Sequence, residues 1–248
     1  MNGEEFMKKI LSIMFCFLFL VSSTTMAHAE EEWPNEDRTN YIEIQSGGAE
    51  EREINDEIIS TFNTSLPLDR RGWGESCYPS VPTYQQETSY YCGPACLQMA
   101  LYHITGTRYS QSSLASEAGT NSNDGTYVYK MRNVMNSKQS SVLYAYDTIS
   151  SQNDLQTKIR LSIANEAPVF FHAMTAPLAM YNGVNLGHYL LGHVIYETGS
   201  ANTVYVTYND PWYEDYGNGS VYGTHTDTLY NFYRSLTDYG SRYLIYAG

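Results

Sequence analysis

The order of two sequence patterns constrains the fold of this chain most strongly. Segments with helical periodicity come first, and segments typical of β-strands follow from about residue 167. The predicted helices are 92–105, 110–120, 124–136 and 149–166, with another over 226–236. The predicted strands are 167–174, 187–197, 202–212 and 241–248. Helices followed by a sheet of hairpin-connected strands predict an α+β protein with an antiparallel sheet.

The N-terminal residues are typical of a targeting segment. Two lysines precede an apolar run from Ile10 to Val21, and Ala27-His28-Ala29 supplies a small-x-small ending. This pattern predicts a signal peptide over 1–29, cut after Ala29. The apolar run of about a dozen residues is too short to span a bilayer. We therefore expect a secreted or cell-surface protein without stable membrane insertion.

Residues 30–75 differ from the rest of the chain in charge. The formal net charge is −13, and the stretch 30–60 contains eleven acidic and two basic residues. We expect 30–75 to be a poorly packed acidic extension, either a propeptide or a solubilising linker, whose composition is compatible with a short helix over 51–61. Residues 76–248 form the predicted domain. Nucleic-acid binding is disfavoured, because it requires a basic surface.

Three cysteines follow the predicted signal peptide: Cys77, Cys92 and Cys96. An odd number in an exported protein leaves at least one thiol free or paired between chains. A Cys77–Cys96 disulfide would leave Cys92 free, whereas a Cys77–Cys92 disulfide would silence it. A Cys92–Cys96 disulfide is disfavoured, because an i,i+4 pair on a helix has poor disulfide geometry. A zinc site of Cys92, Cys96, His188 and His193 lacks the usual ligand spacing.

Cys92 has the position expected of a reactive thiol. It begins the first predicted helix of the domain, where the helix macrodipole lowers a thiol pKa, and Pro94 suits the first helical turn. Gly93 would allow a substrate backbone to approach closely. The Cys92 amide and the side chain of Gln86, on an extended loop, are candidate donors to an oxyanion. A buried structural thiol is the alternative.

A thiolate nucleophile also needs a base and a group that orients the base. His188 and His193 lie on the strand that pairs with the strand ending at Asp210. If the hairpin is centred near residue 200, facing positions sum to about 400, so Asp210 faces position 190 and shares a face with His188. His193 then points to the opposite face. A slip of one residue would reverse this choice, so His193 remains the rival base.

Together these motifs resemble papain-like cysteine peptidases related to the enzymes that process double-glycine leaders of bacteriocins. The resemblance covers about residues 80–248 and depends on Gln86, Cys92-Gly93-Pro94, Gly187-His188-Tyr189 and Asp210-Pro211-Trp212. It implies a papain-like fold, a triad of Cys92, His188 and Asp210, and Gln86 as oxyanion donor. It also implies cleavage of amide bonds in a peptide or protein substrate, with no cofactor.

The sequence departs from that family at three points. Nothing in it resembles the transporter to which classical members are fused, so cleavage of double-glycine leaders is not implied. Cys96 stands where such helices often have a small residue. The interval of 22 residues from His188 to Asp210 is long, and the interval of 17 from His193 is nearer the usual spacing.

The sequence therefore predicts a secreted cysteine peptidase that hydrolyses peptide bonds. A catalytically inactive domain used for binding at the cell surface is the main alternative. Acyl transfer to another amine, in place of hydrolysis, is a further enzymatic alternative.

Overall fold

The structure is a computed structural model that describes residues 43–62, 81–198, 203–217 and 219–248. These residues belong to one compact unit, Glu36–Gly248, and the other unit, Met1–Asn35, lies outside the described residues. The predicted signal peptide and Cys77 also lie outside them. Within the described ranges, every helix is too short or too polar to cross a lipid bilayer.

The predicted helices of the domain are all present. In chain order the helices are α1 (Gly48–Thr61), α2 (Cys92–Thr105), α3 (Gln111–Glu117), α4 (Val128–Lys138), α5 (Gln152–Ala164) and α6 (Leu229–Thr237). Their ends follow local chemistry. Gly106 ends α2 in the left-handed conformation at φ 70°, and the hydroxyls of Ser110 and Ser151 cap α3 and α5.

The strands form a six-stranded antiparallel sheet in the described part of the chain. They are β1 (Tyr144–Thr148), β2 (Val169–Met174), β3 (Gly187–Thr198), β4 (Thr203–Asp210), β5 (Gly223–Thr228) and β6 (Tyr243–Ala247). The spatial order is β1-β6-β2-β3-β4-β5. Helices packed on an antiparallel sheet confirm the α+β prediction, although β1 precedes α5 and α6 lies between β5 and β6.

Two strands were not predicted from the sequence, and both lie at sheet edges. β1 and β5 are the outer strands of the spatial order. The predicted helix over 226–236 is wrong at its start, because 226–228 belong to β5 and α6 begins at Leu229. The threonine-rich residues of β5 show no apolar alternation, so pairing with β4 decides their conformation.

Helices cover both faces of the sheet. Adjacent residues of β2 point to opposite faces: Phe170 packs in the cluster that contains Met99 of α2, and Phe171 packs against Phe232 of α6. Residues 95–101 of α2 are buried around the whole helix, as expected for a central apolar helix. This packing holds the N-terminus of α2 against β3.

The β3–β4 hairpin contains a register shift at His193. On the loop side Tyr196 pairs with Tyr205, whereas beyond the shift Leu191 pairs with Asn209. Continuing the second register places Asp210 opposite position 190, as predicted, whereas the loop-side register would have placed it opposite 191. The irregularity at His193 therefore puts Asp210 and His188 on the same face of the sheet.

The expected poor packing of 30–75 is wrong for residues 43–62. The Asn55 side chain donates to Tyr146 O at 2.8 Å and accepts from Tyr146 N at 2.9 Å, which satisfies backbone groups of edge strand β1. The Tyr146 hydroxyl donates to Ser46 O at 2.7 Å, and Glu51 forms an ion pair with Arg132 of α4. This part of the extension is integrated into the domain at the β1 edge.

Candidate active site

Cys92 is the first residue of α2 and is partly accessible to solvent. Among the described residues, no side chain caps this helix, and Pro94 carries no N–H, so the Cys92 amide is the first-turn donor left for a ligand. The sulfur accepts hydrogen bonds from the backbone amides of Gly93 and Tyr189. The nucleophile candidate is therefore held at the junction between α2 and β3, where a negative sulfur is stabilised.

His188 is the basic group beside this sulfur. Its buried side chain is hydrogen-bonded both to Cys92 and to Asp210, with 3.0 Å between His188 Nε2 and Asp210 Oδ1. Because Nε2 faces the carboxylate, Nδ1 is the ring nitrogen left for the sulfur. The structure therefore joins three predicted site residues, Cys92, His188 and Asp210, in one hydrogen-bonded chain.

The protonation tendencies of this pair favour separated charges. Burial opposes the thiolate, but the hydrogen bond and charge of His188, with the two backbone amides, lower the pKa of Cys92. Burial also opposes the imidazolium, but the charge of Asp210 and the hydrogen bonds to Asp210 and Cys92 raise the pKa of His188 to about 10. Both shifts act in the direction of a thiolate–imidazolium pair.

Asp210 is fully buried and is held by several donors. Its Oδ1 accepts from His188 Nε2 and, at 2.9 Å, from the backbone amide of Trp212. Its Oδ2 accepts from the Tyr181 hydroxyl at 2.7 Å. The ring of Trp212 lies edge-on to His188, with centroids 5.9 Å apart. A carboxylate fixed in this way can orient the imidazole.

His193 lies in a different environment. Its side chain is hydrogen-bonded to Asn209, and burial lowers its pKa, with the neighbouring His103 adding to this effect. Asn209 in turn accepts from the Thr224 hydroxyl at 2.7 Å and donates to Val81 O at 2.9 Å. The rival histidine therefore belongs to a structural polar cluster.

Gln86 reaches the same end of the sheet through its backbone. Its amide donates to Pro211 O at 3.0 Å, directly after Asp210, and its side-chain Nε2 donates to Thr88 O at 2.8 Å. The Nε2 group has a second hydrogen for another acceptor. The role of Gln86 as oxyanion donor stays a prediction.

Cys96 and Gly93 have structural explanations that the sequence did not show. Cys96 is fully buried and its thiol donates to Tyr189 O at 3.4 Å, while burial and the neighbouring Cys92 and Asp210 raise its pKa well above the usual range. A Cβ on Gly93 would lie 2.5 Å from Thr126 Oγ1. Close packing on Thr126 therefore explains why residue 93 is glycine, and this explanation does not depend on substrate binding.

The described residues bear on two alternatives for the cysteines, a disulfide and a metal site. Cys92 and Cys96 are free thiols, and Cys77, the disulfide partner considered for either, lies outside the described residues. Within the described ranges, no cluster of three histidine, cysteine, aspartate or glutamate side chains has an arrangement suited to a metal ion.

Sequence reasoning missed two contributors to the site. Tyr181 lies in a 3-10 helix, Ala179–Tyr181, in the connection between β2 and β3. Tyr189 uses its amide for Cys92, its carbonyl for the thiol of Cys96, and its hydroxyl for Thr126 O at 2.9 Å. Tyr189 is adjacent to His188 in the sequence, so a position near the site could have been inferred for it. No local sequence pattern indicates a role for Tyr181.

The architecture and the site define a papain-like cysteine peptidase fold. Residues 78–241 match the Peptidase_C39 like family, which is more than half of the chain. The chain belongs to this family of papain-like peptidases, which confirms the predicted resemblance. No curated protein sequence matches the chain.

Several solved structures are similar to this chain. One is a double glycine motif protease from an AMS/PCAT transporter in complex with the leader peptide, at 17% identity and TM-score 0.45, covering 68% of this chain and 91% of that one. The peptidase domain of Streptococcus ComA, a bifunctional ABC transporter, has 19% identity and TM-score 0.43, covering 68% and 98%. Digestive procathepsin L 3 of Tenebrio molitor has 12% identity and TM-score 0.43, covering 78% and 79%.

Proposed function

We propose that this protein is an exported cysteine peptidase that hydrolyses peptide bonds, with Cys92 as nucleophile, His188 as proton carrier and Asp210 as the group that orients His188. The observation that carries the proposal is the hydrogen-bonded chain from Cys92 through His188 to the buried Asp210. Membership of the Peptidase_C39 like family supports the same chemistry.

In the acylation step, the Cys92 thiolate attacks the carbonyl carbon of the scissile peptide bond. The carbonyl oxygen becomes an oxyanion, for which the uncapped amide of Cys92 and the second Nε2 hydrogen of Gln86 are the proposed donors. The His188 imidazolium then gives its proton to the leaving nitrogen. The amide bond breaks, the amine departs, and a thioester on Cys92 remains.

In the deacylation step, neutral His188 removes a proton from water, and the resulting hydroxide attacks the thioester. The second tetrahedral intermediate collapses with release of the carboxylic acid and of the Cys92 sulfur as thiolate. The proton stays on His188, so the thiolate–imidazolium pair is restored. Water and the peptide are the only reactants that this cycle requires.

Export of the protein is part of the proposal and is supported by the sequence pattern of residues 8–29. When the full-length chain is expressed, the processed protein should be recovered from the outside of the producing cell with Glu30 as its first residue. N-terminal sequencing of the mature protein measures this directly. Recovery of an unprocessed chain from the cell interior would contradict export and would leave the peptidase proposal intact.

The chemistry is tested by reaction with iodoacetamide at pH 6, followed by mass spectrometry of the modified peptides. We expect selective modification of Cys92, and its loss in His188→Ala. In parallel, a mixture of unstructured synthetic peptides should acquire new termini with the wild-type protein and none with Cys92→Ala. Slow and equal labelling of all thiols, with intact peptides, would contradict the peptidase and support the binding alternative.

A further inference from the structure

Tyr181 contacts Asp210 of the candidate triad and is fully buried. Its hydroxyl donates to Asp210 Oδ2 at 2.7 Å. Within the described part of the chain, the two other donors to this carboxylate, His188 Nε2 and the Trp212 amide, both reach Oδ1. Tyr181 is therefore the donor that satisfies the second oxygen of a carboxylate with no solvent exposure.

The segment that holds Tyr181 is firmly connected to the rest of the domain. The Ala179 amide donates to Asp227 Oδ2 at 2.7 Å, and the Thr175 hydroxyl donates to Val184 O at 2.7 Å. The Tyr181 ring stacks on Tyr216 with centroids 5.5 Å apart. These contacts fix the hydroxyl before any substrate binds, which is the condition for a positioning role.

We propose that Tyr181 is a positioning residue of the active site, which holds the Asp210 carboxylate in the orientation that faces His188. This inference rests on the proposed peptidase function. A buried carboxylate oxygen that loses its donor is an unsatisfied acceptor, and the carboxylate rotates toward another donor. This rotation weakens the hydrogen bond to His188 and, through the imidazolium, the thiolate of Cys92.

The environment of Tyr181 keeps its hydroxyl protonated, so the hydroxyl donates a hydrogen bond. Burial raises the pKa of Tyr181 far above its usual range, and the Asp210 carboxylate raises it further. Besides Tyr181, the ionisable groups of the described residues that interact with Asp210 are Cys96 of α2, His188 of β3, Tyr208 of β4 and Tyr216 of the segment after β4. Among these, His188 is the cation, so the carboxylate depends on neutral donors for its other oxygen.

The fold offers a matched control. Tyr208 of β4 is also fully buried and lies two residues before Asp210, but its hydroxyl has no hydrogen-bond partner among the described residues. Tyr181→Phe and Tyr208→Phe therefore delete the same atom in the same neighbourhood. They differ in whether that atom donates to Asp210.

The test measures the rate of Cys92 modification by iodoacetamide as a function of pH in the full chain. For Tyr181→Phe we expect the pH of half-maximal rate to rise by about one unit, which is about a tenfold loss of rate on the acid side. For Tyr208→Phe we expect the wild-type profile. Equal profiles for the two variants, with wild-type folding, would overturn the role of Tyr181.

The same data separate this inference from the proposed function. If wild-type Cys92 reacts with the profile of an ordinary thiol, the peptidase proposal fails, and the positioning role fails with it. If the wild type is acid-shifted and Tyr181→Phe coincides with it, the positioning role alone fails.

If Tyr181→Phe does not fold, 3-fluorotyrosine placed at position 181 decides the question. The fluorinated ring keeps the hydroxyl and makes it a stronger donor, so the half-maximal pH should fall below the wild-type value. An unchanged profile would overturn the inference.

Discussion

Cys92 and Cys96 are two thiols one helical turn apart on α2, and their environments are opposite. The sulfur of Cys92 accepts from the Tyr189 amide and is hydrogen-bonded to His188, and its pKa is lowered. The thiol of Cys96 donates to the Tyr189 carbonyl, and its pKa is raised. The two sulfurs therefore contact different backbone groups of Tyr189: Cys92 contacts the amide and Cys96 contacts the carbonyl.

This difference shows that the helix alone does not make a cysteine reactive. Both residues are on the same helix, but only Cys92 lies at its uncapped start, beside the imidazole. Cys96 lies inside the apolar cluster between α2 and the sheet. Its thiol is a small buried group that joins the helix to β3.

The largest expected effect comes from deleting each sulfur in turn. Cys92→Ala should lower the rate of peptide hydrolysis by about 10⁴-fold or more, because the nucleophile is lost. Cys96→Ala should stay within about threefold of the wild type, because its sulfur touches no reacting group. Initial rates on the synthetic peptide mixture measure both. A loss in Cys96→Ala as large as that in Cys92→Ala would contradict the distinction between the thiols.

The next effect concerns the histidine that makes Cys92 different. The pKa of Cys92 is lowered and that of His188 is raised to about 10, so the thiolate and the imidazolium coexist between the two pKa values, and the imidazolium is lost as the pH approaches 10. His188→Gln should return Cys92 toward an ordinary thiol and lower its alkylation rate at pH 6 by about a hundredfold.

His193→Gln is the matched control, because glutamine can keep the hydrogen bond to Asn209. We expect the wild-type alkylation rate for this variant at pH 6. If His193→Gln has the larger effect, His193 is the base and the assignment of His188 is wrong.

A third prediction separates stability from thiol chemistry. The Arg132 side chain is 1% exposed and pairs with Glu51 of α1. Glu51→Ala leaves this guanidinium without its partner and should lower the free energy of unfolding by about 3 kcal/mol, measured by urea denaturation. The exposed Glu53 on the same helix gives the control, with an expected change below about 0.5 kcal/mol for Glu53→Ala.

In the folded Glu51→Ala protein, Cys92 should still react far faster than Cys96, because α1 packs at the β1 edge and β1 is separated from β3 by β6 and β2. An unchanged free energy of unfolding would show that 43–62 does not stabilise the domain. A large rise in peptidase rate would identify the segment as an inhibitor.

The smallest expected effect is that of Cys96→Ala on stability. The variant loses a weak S–H···O hydrogen bond and leaves a small cavity, which should cost about 1 kcal/mol of the free energy of unfolding. The pH dependence of Cys92 alkylation should not change. A shift of that dependence by a full pH unit would show that Cys96 takes part in the reactive pair.

Local sequence patterns were sufficient to predict most of the helices and strands of the domain. Helix periodicity and strand composition predicted α2 to α5 and β2, β3, β4 and β6, because each has its own apolar pattern. Residues 43–62 were predicted to be poorly packed because their acidic composition gives no signal of the few specific contacts, such as Asn55 with Tyr146, that hold them to the domain.

Two features of the candidate site could not be predicted from local sequence patterns. Strand alternation placed His188 and Asp210 on one face, but the shift at His193 that produces this register has no sequence signal of its own. Tyr181 meets Asp210 across 29 residues through the folding of the β2–β3 connection onto β4. Contacts of this kind depend on tertiary packing, which one sequence does not display.

The ultraviolet absorbance of the thiolate tests the central claim most directly, as the difference between wild type and Cys92→Ala across a pH titration. We predict that the thiolate signal of Cys92 persists well below pH 7 and that His188→Gln abolishes it there. A difference signal that appears only near pH 8.5, the usual range of a cysteine thiol, would contradict the ion pair and the mechanism built on it.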